Sequence, residues 1–82
     1  MRGKLRNSLF SLIRKRELEL GRQVTQIELA EKLHVSEQVV SRWVRNEVTR
    51  FDAEIVEKIC AEFNIDAGDL LYIEPVSSET KG

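Results

Sequence analysis

The stretch TQIELAEKLHVSEQVVSRW, Thr25 to Trp43, decides the fold. Thr25-Gln26-Ile27-Glu28 has the S/T-x-x-E form of a capping box, in which Thr25 accepts from the Glu28 N–H and Glu28 reaches back to the Thr25 N–H. A helix is therefore predicted from Gln26 to about Leu33, with Ile27, Ala30 and Leu33 inward and Leu29 beside them. His34 takes the turn position, where a left-handed residue is common. Ser36 is a good N-cap for a second helix running to about Arg45. At about 100° per residue, Val39, Val40, Trp43 and Val44 fall in one arc of that helix. Glu37, Gln38, Ser41, Arg42 and Arg45 fall in the opposite arc. The apolar arc suits a buried face. The polar arc carries hydrogen-bonding side chains that can read base edges or phosphates, and it also fits an ordinary solvated surface.

Only His34-Val35-Ser36 separates the two helices. Short amphipathic helices joined so tightly cross at about 90–120°, the geometry of a helix-turn-helix. Such a crossing needs a small residue at the contact, and Ala30 is placed for it. Val35, Val40 and Trp43 would lock the angle; Trp43 reads as core rather than as a base-stacking platform.

Working outward, Leu5, Leu9, Leu12, Ile13 and Leu20 recur at helical spacing, so a first helix is predicted over about Lys4 to Leu20, ended by Gly21. Asp52 caps a helix of about Ala53 to Phe63, and Phe51 and Val56 are spaced as a hydrophobic staple. Asn64 is placed as a left-handed terminator, and Asp66 caps a short last helix through Leu70 or Leu71. No strand-length alternation of period two stands out. The expected fold is all-α, a compact bundle of about five short helices. Residues 1–73 form the domain, and 74–82 a polar, frayed tail.

Composition narrows the function. The 82 residues suit one small domain, and 41% hydrophobic with 33% charged residues suits a globular chain. No apolar run approaches the ~18 residues of a membrane span. The opening Met1-Arg2-Gly3-Lys4 precedes no signal-peptide apolar region, so a cytoplasmic protein is expected. One Cys and one His make neither a disulfide framework nor a zinc site. Cys60 lies at core spacing with Ile55, Val56, Ile59 and Phe63 and reads as a buried small hydrophobe. No acid–base pair, nucleophile with a His partner or glycine-rich phosphate loop is visible, so neither an enzyme nor a cofactor is expected. Net charge is −1, yet residues 1–50 carry +5 and residues 51–82 carry −6. A basic half that holds the motif fits a polyanion binder.

The quoted stretch resembles the helix-turn-helix of the Cro/C1-type (Xre) regulators, whose pattern is TQ-x-x-LA-x-x-x-G-V-S-x-x-x-IS-x-W/I. FDAEIVEKICAEFNIDAGDLL, Phe51 to Leu71, resembles the closing helices of that lambda-repressor-like fold. The similarity covers about Leu9 to Leu71. His34 replaces the turn glycine, and Gly21 to Val24 is a longer connector than the family's own.

The resemblance implies a sequence-specific regulator of transcription that binds double-stranded DNA. Gln26, at a helix N-terminus, would contact phosphate. Glu37, Gln38, Ser41 and Arg42 would read bases in the major groove. Their chemistry agrees: Gln38 can pair with adenine, Arg42 with guanine, and Glu37 can accept from cytosine, although an acid there also suits the helix dipole. Arg45, Asn46 and Arg50 follow as phosphate contacts or as a solvated loop. Arg14, Lys15 and Arg16 are weaker candidates of the same kind. One module makes few base contacts, so a homodimer on two half-sites is expected, with Leu70 to Ile73 as its surface or packed on their own core. The alternative is a protein-interaction module, an antitoxin or adaptor that holds a protein partner on the same scaffold.

Overall fold

The structure is a computed structural model, and it describes residues 3–75. Its elements run β1 (Gly3–Asn7), α1 (Leu9–Leu20), α2 (Gln26–Leu33), α3 (Glu37–Val44), α4 (Ala53–Phe63), α5 (Ala67–Leu70) and β2 (Leu71–Pro75). Five helices are present among the described residues, as expected, but the fold is not all-α. β1 and β2 form a two-stranded antiparallel sheet in which Leu5 faces Ile73, Arg6 faces Tyr72 and Asn7 faces Leu71. The first helix accordingly begins at Leu9, not Lys4. Leu5 fits the helical spacing of Leu9 and Leu12, so periodicity alone could not separate it from them. Its strand partner lies 68 residues away. β2 runs through Glu74 and Pro75, past the expected boundary at 73. The rest of the tail expected over 74–82, residues 76–82, lies outside the described residues.

Local chemistry sets most helix ends. Thr25 Oγ1 accepts from the Glu28 N–H at 3.1 Å, Ser36 Oγ from the Val39 N–H at 3.3 Å, and Asp52 Oδ1 from the Glu54 N–H at 2.8 Å. Three helices end alike. His34, Asn46 and Asn64 are left-handed, with φ of 58°, 57° and 55°. After each, the next N–H closes back five residues: Val35 to Ala30, Glu47 to Arg42 and Ile65 to Cys60, at 3.0, 2.9 and 3.0 Å. This is the Schellman closure, which satisfies carbonyls that a helix end leaves open. The left-handed turns at His34 and Asn64 agree with expectation; the third, at Asn46, was not foreseen.

The core gathers Leu9 and Ile13 of α1, Leu29, Ala30 and Leu33 of α2, Val40 and Trp43 of α3, Ile59 of α4 and Leu70 of α5. Ile27 is not among them: it is 55% exposed. Leu29, Ala30 and Leu33 share an arc of about 100° whose centre lies roughly 110° from Ile27. Leu20 is also exposed, at the last position of α1. Cys60 is half-buried against the core. Burial, then the charges of Asp66 and Asp69, push its thiol up from the usual range.

Candidate nucleic-acid interface

α3 divides as its sequence divides. Val40 and Trp43 are buried and Val39 and Val44 half-buried. Glu37, Gln38 and Arg42 are exposed, and Ser41 is half-buried between them. Gln38 stands one turn from both Ser41 and Arg42, and Glu37 one turn from Ser41, so these four form one continuous patch. The back of the helix is clamped: the Trp43 ring meets Phe51 edge-on, 5.4 Å between centroids. Phe51, expected to staple Val56, thus fixes the loop that follows α3 against Trp43.

The cations around this patch differ in how far they are engaged. Arg42 and Arg50 are exposed, border one open hollow beside Trp43, and make no ion pair among the described residues. Arg45 lies 3.2 Å from Glu47, with both side chains more than half exposed. A surface pair of that kind is worth about 0–1 kcal/mol, so a phosphate can displace the glutamate. Gln26, the first residue of α2, is half-buried and borders a hollow between α1, α2 and the end of α3.

Three of the charged or polar candidates are engaged elsewhere. Arg16 bonds the Glu62 carboxylate at 3.2 Å and the Glu62 carbonyl at 2.9 Å, and stacks over Phe63 at 4.5 Å. It ties α1 to α4. Arg14 leans on Glu17 and Phe10. Asn46, expected on a phosphate, has its carboxamide turned onto Asn7: its Oδ1 accepts from the Asn7 N–H at 2.8 Å, and its Nδ2 donates to the Asn7 carbonyl at 3.2 Å.

Sequence reasoning missed two residues near the site. Asn7 is buried at the end of β1, and its only signal was the cap-forming pair Asn7-Ser8 before Leu9. Arg22 holds both carboxylate oxygens of Glu28, at 3.0 and 2.9 Å. Glu28 therefore does not make the full capping box with Thr25. The Arg22 hydrogen bonds hold its carboxyl below the usual carboxylate range, against the opposing effect of desolvation. The same contact raises the pKa of Arg22.

The Cro/C1-type HTH DNA-binding domain pattern matches residues 16–75. This chain belongs to that family. The Cro/C1-type match takes in all of α2, α3, α4 and α5, and therefore the whole exposed patch on α3. The solved structure of "a putative DNA-binding protein from Bacteroides fragilis" is similar to this Cro/C1-type domain at TM-score 0.63 and 25% identity, over 84% of this chain and 100% of that chain. No match was found among curated proteins. Among the described residues, no helix is long and apolar enough to cross a membrane, and no cluster of His, Cys, Asp and Glu could hold a metal ion.

Proposed function

We propose that this Cro/C1-type domain is a cytoplasmic, sequence-specific transcriptional regulator that lays α3 in the major groove of double-stranded DNA. The observation that carries this reading is the α3 patch of Glu37, Gln38, Ser41 and Arg42, backed by a buried Trp43 and flanked by Arg50, which makes no ion pair among the described residues. Gln38 and Arg42 have bidentate partners in adenine and guanine. Ser41 bonds either kind of edge, and Glu37 accepts from cytosine or supports the helix dipole. Arg45, Arg50 and Gln26 contact phosphates and fix the register without reading sequence.

Two such domains on half-sites about one helical turn apart supply the affinity that one lacks. The exposed Leu5 and Ile73, cross-strand partners on one face of the ribbon, support a homodimer. Selection of bound duplexes from a random pool tests the whole reading. A palindromic consensus is expected; no enrichment over the starting pool defeats it.

A second reading, a module that holds a protein partner, is favoured by one observation. Phe10 and Leu18 stand 49% and 86% exposed along α1, beside a hollow that also reaches Gln23. Absence of retention on a DNA column at low salt would select this reading over the first.

A further inference from the structure

Asn7 is the one polar residue that the fold buries among the described residues, at 2% exposure. A buried carboxamide is tolerated when its donors and acceptor are met. Here they are. Asn7 Oδ1 accepts from the Leu9 N–H at 2.9 Å and so opens α1. Its Nδ2 donates to the Trp43 carbonyl at 3.0 Å and to Asn46 Oδ1 at 3.1 Å. The Asn46 carboxamide then docks on the Asn7 backbone, accepting from its N–H and donating to its carbonyl, as the backbone of a neighbouring strand would. Arg6 adds a longer bond, 3.4 Å, to the Asn46 carbonyl, while its Nε is held by Glu74 of β2 at 2.7 Å.

Trp43 is the residue after Arg42, and Asn46 is the left-handed residue that ends α3. Five hydrogen bonds therefore join β1 to the C-terminal end of α3. We propose that Asn7 and Asn46 are positioning residues for base reading: together they fix where the C-terminal end of α3 sits, and hence how Gln38 and Arg42 meet base edges. The inference rests on the DNA-reading function above. Bidentate contacts to bases tolerate displacements of only about 0.5 Å, whereas long cationic side chains follow a phosphate through larger ones. Loosening this joint should cost sequence preference and spare general affinity.

The test uses two variants and a control, each kept folded below its own melting midpoint as seen by circular dichroism. Asn46→Gly keeps the left-handed backbone and removes only the carboxamide. Asn7→Ala removes the side-chain bonds to the Trp43 carbonyl, to Asn46 and to the Leu9 N–H, and leaves the Asn46 carboxamide on the Asn7 backbone. Ile59→Val, a core change in α4, provides a loss of stability away from the joint. Fluorescence anisotropy on a selected duplex and a scrambled one, across a salt series, reads preference and salt slope separately. Both joint variants should lower the selected-to-scrambled affinity ratio about tenfold or more, the size of one lost base contact. Affinity for the scrambled duplex and the salt slope should stay as in the parent, and Ile59→Val should keep the parent ratio. An unchanged ratio in Asn46→Gly overturns the proposal, as does an equal loss on both duplexes, which would make Asn46 a plain backbone contact. A parent protein with no preference at all defeats the DNA-reading function itself, and the positioning role with it, before any variant is compared.

Discussion

The Phe51 ring stands at 85° to that of Trp43, so the loop after α3 braces the back of the helix that carries the exposed patch. Edge-to-face pairs are worth about 0.5–1.5 kcal/mol beyond the area they bury. Phe51→Leu should therefore lower unfolding free energy by about 1 kcal/mol in a urea titration. Trp43→Ala removes a side chain that is 2% exposed, and such changes cost about 3–5 kcal/mol. A domain this small has only about 4–12 kcal/mol in total, so this variant should lose a large share of its stability and melt well below the parent.

Arg42 and Arg50 border the same hollow yet should fail differently. Arg42→Ala should relax base preference at one position, by about 1–3 kcal/mol of discrimination. Arg50→Ala should weaken every duplex alike and reduce the salt slope by about one charge. Anisotropy at several salt concentrations separates the two. Identical profiles would remove the division into reader and phosphate contact.

His34 pays for a left-handed backbone that glycine adopts freely. Relief of about 1–2 kcal/mol exceeds the roughly 0.4–1 kcal/mol of extra chain entropy that glycine loses on folding. His34→Gly should thus raise stability by about 0.5 kcal/mol, and His34→Val should lower it. The order of the three melting temperatures is the measurement.

The Arg22–Glu28 pair predicts a pH dependence. The Glu28 carboxyl is held below its ordinary range by Arg22, so the folded state favours the charged form. Its contribution is full above the unfolded value of about 4.3 and fades as pH falls through the lowered folded value. Wild type should melt above Glu28→Gln at neutral pH, and the gap should close on acidification. A gap that persists at low pH would mean that the glutamate acts through something other than its charge.

Much of this was legible in the chain, and the legible parts share a cause. Thr25, Ser36 and Asp52 bond N–H groups two or three residues ahead, so cap and helix travel together in sequence. The faces of α3 were legible because eight residues on one helix place Val40 and Trp43 opposite Gln38 and Arg42, whatever packs on them. Ile27 was misread because the three apolar neighbours that do point inward define a face whose edge it misses. Glu28 was half read: its backbone obeys the local cap, while its carboxylate finds a guanidinium six residues back.

By itself, then, the sequence determined the five helices apart from the start of the first, the turn at His34 and the patch of Glu37, Gln38, Ser41 and Arg42, since each depends on residues within a turn or two. Tertiary structure alone decided the β1–β2 ribbon and the joint between Asn7 and Asn46. Leu5 pairs with Ile73 and Asn7 meets Asn46 only after the helices have brought those segments together. A five-residue strand has no stable form without its partner, and a buried carboxamide has no fixed role until the groups that satisfy it arrive.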